Sequence, residues 1–208
     1  MTLDSSSSHT AKPRAGRPRK FDQDDVISNA MRVFWTNGYT QTSIEDLVEG
    51  TNVGAQSLYN TFGSKSEIFL QALKLYLSTV TQDALGRIEN SKSTIEGICA
   101  VFPLPSEIVK LNLPLGCLIV MSSFETDDDS TTEIRALIDK QRVQATAAFR
   151  QGLKRGQQGG EINQSLTPSS TAKLLTTLLQ GAQNDIRYGA TDEDIKHLRK
   201  SIRQILRP

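Results

Sequence analysis

The chain has 208 residues, 37% hydrophobic, 23% charged and 6% aromatic, with a formal net charge of +1. That length buries a sizeable core in one domain or two, and the composition is that of an ordinary soluble protein. The absence of any run of 18 apolar residues excludes a transmembrane helix, and Met1 to Thr10 lack the apolar stretch of a secretory signal, so the expected location is the cytoplasm.

The near-neutral total hides an asymmetry. Residues 1–20 carry Lys12, Arg14, Arg17, Arg19 and Lys20 against Asp4 alone. They are rich in Ser and Pro and poor in large apolar groups, so they read as a basic arm that stays disordered without a partner.

Asp22 suits the N-cap of a first helix, with Asp25 three residues on as in a capping box and Phe21 and Val26 at the staple positions. Val26, Ala30, Val33 and Phe34 then follow helical spacing. Asn37-Gly38 ends this helix, glycine fitting the left-handed C′ position. Thr42 and Glu45 repeat the capping pattern for a second helix with Ile44, Leu47 and Val48 inward. Asn52 and Gly54 bracket Val53 in a tight turn; both residue types tolerate unusual backbone angles. A third helix, roughly Ala55 to Thr61, is anchored by Leu58 and Phe62. Ser64 and Glu67 cap a long fourth helix with Ile68, Ala72, Leu75 and Tyr76 on one side.

Beyond residue 90 the pattern stays helical. Pro103, Pro105 and Pro114 break the middle into short pieces, and Asp127-Asp128-Asp129 is a polar connector. Ser130 and Glu133 open a helix reaching Gly156, with Ile134, Leu137, Ile138, Ala145, Phe149 and Leu153 buried and Gly159-Gly160 closing it. Pro168 starts a helix containing Leu174, Leu175, Leu178, Leu179 and Ile186, ended by Gly189. Thr191 and Asp194 cap the last helix, with Ile195, Leu198, Ile202 and Ile205 on one face and Arg203 and Arg207 at its negative end. The expected fold is all-α: a three-helix domain with a helix-turn-helix, then a larger helical domain.

Two short helices joined by a tight turn can present one of them to the DNA major groove. With the arm Gly16-Arg17-Pro18-Arg19-Lys20, the segments Asn37-Gly38-Tyr39, Thr42-Ser43-Ile44, Leu58-Tyr59-Asn60-Thr61-Phe62 and Ser64-Lys65-Ser66-Glu67 resemble the TetR family of bacterial transcriptional regulators. The resemblance covers Gly16 to about Tyr76 closely. Further on it is loose, carried by Gly116-Cys117-Leu118-Ile119-Val120 and Gln180-Gly181-Ala182. Many members have Ala-Gly where this chain has Thr51-Asn52, and a Ser-type cap where it has Gly54; Asn can take the left-handed angle, and Gly is a weaker cap.

The third helix has no Arg or Lys. Its polar groups are Gln56, Ser57, Tyr59, Asn60 and Thr61. Gln and Asn pair bidentately with adenine, and Gln56, near the helix N-terminus, is the first candidate for a base contact. The resemblance implies phosphate contacts from Tyr59 and Lys65, with Thr42 and Ser43 as further backbone contacts. Thr42 reads equally well as a cap alone. Arg17 and Arg19, with Lys20, suit a narrow minor groove; a solvated tail is the competing reading. The resemblance further implies a homodimer built from the last two helices, roughly Pro168 to Tyr188 and Asp192 to Leu206. It also implies release from a palindromic operator by a small-molecule effector among the middle helices, where Phe102, Cys117, Met121, Phe124 and Phe149 are the candidate lining. The expected divisions are a basic arm, 1–20, a DNA-binding domain, 21–67, and an effector-binding and dimerisation domain, 68–208.

An enzyme is the first rival. His9 and His197 have no companions, and no nucleophile elbow, P-loop or dinucleotide fingerprint occurs, so no catalytic residue, cofactor or metal ligand is assigned. Cys99 and Cys117 lack zinc or disulfide spacing. A thiol-based redox sensor using one of them is the alternative regulator; their apolar neighbours argue for inert thiols. A helical architectural protein that binds DNA without sequence preference is the third reading.

Overall fold

The computed structural model describes residues 21–122 and 132–208. Every regular element in these residues is helical. Three helices come first: α1 (Gln23–Asn37), α2 (Ile44–Thr51) and α3 (Ala55–Phe62). Next, α4 (Lys65–Tyr76) passes through a π-helical segment, Leu77–Thr81, into α5 (Gln82–Asn90), the backbone staying right-handed at both joins. Short helices α6 (Thr94–Ala100), α7 (Pro105–Lys110) and α8 (Leu118–Ser122) fill the middle, and α9 (Thr132–Gln158), α10 (Pro168–Arg187) and α11 (Asp192–Leu206) complete the chain.

The helix boundaries follow local chemistry. Ser64 with Glu67 and Thr191 with Asp194 form reciprocal capping boxes. Pro105 and Pro168 occupy first turns, where a missing N–H costs no hydrogen bond. Asp22 does cap α1, but two expected capping boxes differ. Asp22 accepts from the Asp24 N–H at 2.9 Å, one position short of a capping box. The cap of α2 is Ser43 paired with Asp46, one residue later than the Thr42–Glu45 pattern. The helix after the acidic connector is described from Thr132 and runs to Gln158, two residues past Gly156; Asp127, Asp128, Asp129 and Ser130 lie outside the described residues.

Two hydrophobic cores result. The first gathers Phe34, Trp35, Leu47, Leu58, Phe62, Ile68, Phe69 and Tyr76, joined by Leu118, Ile134 and Ile138. At its centre the Phe34 and Phe69 rings meet edge-on, centroids 4.9 Å apart. Eight-residue helices such as α2 and α3 are not stable alone. Burying a side chain such as Leu47 or Leu58 contributes about 1.5–3 kcal/mol, and both are fully buried against this core. Tertiary packing on α1 and α4 therefore holds the helix-turn-helix in shape. The second core gathers Ile88, Ile98, Phe149, Leu153, Ile186, Ile195 and Ile202 from α5, α6, α9, α10 and α11, with Phe102 from the segment after α6.

Candidate DNA interface and internal cavity

The turn between α2 and α3 depends on Asn52, whose φ of 56° and ψ of 31° place it in the left-handed region. Asparagine reaches that region at small cost, which is how Thr51-Asn52 replaces a glycine-containing turn. Gly54 has an ordinary φ of −62° and brings no side-chain acceptor to the first turn of α3. Leu58 and Phe62 point into the core. The opposite face leaves Gln56, Ser57, Tyr59, Asn60 and Thr61 exposed, with Tyr59 at 42%. The Gln56 Nε2 donates to Asn60 Oδ1 at 2.9 Å.

At the start of α2, Ser43 is exposed. Its N–H and hydroxyl donate to Asp46 Oδ2 at 2.7 and 2.8 Å, and these bonds, the backbone one foremost, hold the Asp46 carboxyl below its usual range. Thr42 is only 1% exposed and its hydroxyl donates to the Gly38 carbonyl. It therefore neither caps α2 nor offers its side chain to a phosphate; it ties α2 to the end of α1. Lys65, at the start of α4, sits over the Tyr39 ring at 4.7 Å. Arg17, Arg19 and Lys20 lie outside the described residues.

Behind this domain lies a cavity of about 1060 Å³, lined from α1, α4, α5, α7, α9 and α10 and the segment around α8. Trp35 and Tyr76 from the first core reach it, with Ile108, Ile138, Gln141 and Leu179 from the larger domain. The Trp35 indole Nε1–H donates to the Gly116 carbonyl at 3.2 Å, and its ring meets Tyr76 edge-on at 4.8 Å. Tyr76 donates its hydroxyl to Cys117 Sγ at 3.4 Å. On the far side Arg187 of α10 donates to the carbonyls of Trp35 and Thr36 at 3.3 and 2.5 Å. One residue of α1 thus belongs to the first core, the cavity wall and a clamp from α10.

Of the five expected lining residues, Cys117 does line the cavity. Phe102 and Phe149 do not. They are fully buried in the second core, centroids 6.4 Å apart, because the helical period that put them inward says nothing about which inward face meets a void. Met121 is half-buried on α8 away from the lining, and Phe124 lies outside the described residues. Among the residues missed, Gln141 had a visible signal. It occupies a position of the apolar stripe Ile134, Ile138, Ala145, Phe149 on α9, and it is buried at 7%. A carboxamide in such a stripe marks a place where the stripe faces something polar.

Burial pushes the Cys117 thiol up from its ordinary pKa, and burial pushes Cys99 up to about 11. Burial thus favours the thiol form of both, which argues against a sensor that works through a thiolate.

Residues 26–72 match the model for bacterial regulatory proteins, tetR family, and residues 95–202 match the tetracyclin repressor-like C-terminal domain. The chain belongs to the TetR family. Like its relatives, this TetR-family protein is a DNA-binding transcriptional regulator. It is similar to the HTH-type transcriptional repressor ComR of Escherichia coli (strain K12), 27% identical over 92% of each chain. It is also similar to the uncharacterized HTH-type transcriptional regulator YezE of Bacillus subtilis (strain 168), 33% identical over 71% of this chain and 76% of that one. Among solved structures, a cysteine mutant of the TetR family transcriptional regulator CifR complexed with 26bp double-strand operator DNA superposes with a TM-score of 0.79 at 25% identity, covering 92% of this chain and all of that one.

Proposed function

We propose that this TetR-family protein is a repressor that binds a palindromic operator as a homodimer and leaves it when a small molecule occupies the cavity. The observation that carries the reading is Trp35: it lines the cavity while sitting in α1, the helix on which α2 and α3 pack. A molecule entering the cavity meets the same packed unit that sets the position of α3. Release then requires the effector to prefer the arrangement that fits DNA poorly.

In this reading Gln56 and Asn60 read bases, with Ser57 beside them. Tyr59, Lys65 and Ser43 meet phosphates, and Arg17, Arg19 and Lys20 enter the adjacent minor groove. The exposed positions of Gln56, Ser57, Tyr59 and Asn60 support this, as does the operator complex of the CifR mutant. The outward apolar residues of α10 and α11 support the dimer. The working division is an arm at 1–20, a DNA-binding domain at 21–67 and a sensing and dimerising domain at 68–208, acting on DNA in the cytoplasm.

Selection from random duplex DNA tests the first half. The expected product is an inverted repeat with half-sites about one helical turn apart or a multiple of it; enrichment without a repeat would overturn it. Screening small molecules for loss of binding to that operator tests the second half.

A further inference from the structure

The chemistry of the cavity wall restricts what can occupy it. Six lining residues are charged, and they balance: Asp83, Glu107 and Asp139 against Arg87, Arg135 and Arg142. Arg87 pairs with Asp83 at 2.9 Å, Arg142 with Asp139 at 3.6 Å, and Glu107 with Arg199 at 3.3 Å, and Arg135 is engaged as well. An ionic guest would have to give up water without gaining an uncommitted counter-charge, which is unfavourable in a cavity walled by Trp35, Ile108, Ile138 and Leu179.

The neutral polar groups are arranged differently. Gln141 is buried at 7%, lines the cavity, and its carboxamide makes no hydrogen bond with any described residue. Gln183, on α10 and also in the lining, has a buried Oε1 with no hydrogen-bond partner. Buried carboxamides are ordinarily satisfied. A buried Gln183 oxygen without a partner, beside a Gln141 carboxamide that makes no hydrogen bond and keeps some access, marks a site for a guest that both donates and accepts.

We propose that the cavity takes an uncharged, mainly apolar organic molecule whose donor-and-acceptor head group, of the amide or hydroxyl kind, is held by the Gln141 carboxamide with Gln183 beside it. This rests on the small-molecule reading above and specifies its chemistry. A primary amide matches Gln141 on both sides, its N–H to Oε1 and its carbonyl to Nε2–H. A carboxylate cannot donate, and an ammonium cannot accept. The volume exceeds that of a usual small-molecule site, so a long apolar body is accommodated.

Three ten-carbon probes test this on the full chain: decanamide, decanoate and decylammonium, each kept below its aggregation threshold. Trp35 is the single tryptophan and borders the cavity, so its emission reports occupancy, with calorimetry as a second readout. Decanamide is expected to bind at least tenfold more tightly than either ion. Gln141→Met and Gln183→Met are each expected to weaken decanamide at least tenfold, with thermal unfolding confirming that each variant is folded. No binding of decanamide, equal binding of an ion, or undiminished binding by both folded variants would overturn the assignment. Operator binding measured alongside separates the two readings. Release by an ion alone would preserve a ligand-released repressor and overturn the neutral-guest assignment. Decanamide binding without operator release would uphold the guest chemistry and count against the repressor mechanism.

Discussion

Gln56 and Asn60 lie one turn apart on α3, and their 2.9 Å hydrogen bond orders both carboxamides on the exposed face. Gln56 retains its Oε1 and a second amide hydrogen, the pair needed for the edge of adenine. Replacing Gln56 with Ala is therefore expected to weaken the selected operator roughly 10- to 100-fold, the size of about 1–3 kcal/mol for one bidentate base contact. The loss should fall on one base step and leave the salt dependence unchanged. Lys65→Ala should instead weaken every duplex alike and lower the log–log salt slope by about 1. Fluorescence anisotropy on operator and random duplex across a salt series measures both; equal loss on random DNA for Gln56→Ala would take that residue out of base readout. The neighbouring misreading at Thr42 has a local cause. Thr42–Glu45 and Ser43–Asp46 both satisfy a capping pattern, one residue apart. What decides between them is the Gly38 carbonyl at the end of α1, which takes the Thr42 hydroxyl and turns that side chain inward. A sequence window of four residues does not contain that carbonyl's position.

Helices carry their own signals, and contacts between them do not. The starts of α4, α10 and α11 were legible because cap, proline and periodicity agree there. The carboxylate of Glu161, beyond the end of α9, reaches back 67 residues to accept the Thr94 N–H at 2.7 Å and also takes the Ile95 N–H and the Ser93 hydroxyl. It caps α6 from outside, and no local pattern announces it. Desolvation works against its charge, but the Ser93 hydroxyl and the Ile95 and Thr94 N–H groups outweigh that and hold its pKa below the ordinary 4.5. A carboxyl depressed on folding stabilises the protein above its unfolded pKa, and the benefit is lost as pH falls through the folded one. Glu161→Gln is thus expected to lower unfolding free energy by about 1 kcal/mol at pH 7, the scale of a helix cap, and to match the parent once pH drops below the folded pKa. Urea unfolding at a series of pH values checks it; a constant gap down to acid would mean that charge is not involved. Arg187 makes the second cross-element contact. Its two bonds to the Trp35 and Thr36 carbonyls are charge-assisted, worth about 1.5–3 kcal/mol each at most before solvent exposure reduces them. Arg187→Ala should lower unfolding free energy by about 2 kcal/mol and shift Trp35 emission, since the clamp fixes the backbone beneath that indole. Stability loss with unchanged emission would confine Arg187 to packing and separate it from the cavity.

At the scale of the molecule, the apolar residues of α10 resolve into two faces. Leu175 and Ile186 are buried within the chain, while Leu174 is 47% exposed, and on α11 Ile205 is 45% exposed beside buried Ile202 and Leu206. Periodicity grouped Ile205 with Ile195, Leu198 and Ile202, where the structure buries Leu206 and leaves Ile205 outward, and it had no way to tell an intrachain neighbour from a second copy, because both exclude water in the same way. The outward set lies on the two helices that the family resemblance gives to the dimer. Gln180 and Gly181 of α10 are exposed and also border the cavity, so a partner covering this face sits over its edge. Stable interfaces bury about 800 Å² on each partner, and a carboxylate placed within one must be desolvated without a counter-charge. The double variant Leu174→Glu with Ile205→Glu is therefore expected to sediment as a monomer at micromolar concentration while keeping the parent's helical content. Its affinity for the full palindrome should fall at least 100-fold, because each subunit then binds without its neighbour's contacts, whereas affinity for an isolated half-site should stay within a few-fold of the parent. The two DNA measurements together carry the argument: loss on both substrates would point to damage at α3, and a variant that still sediments as a dimer would place the subunit contact on some other face than α10 and α11.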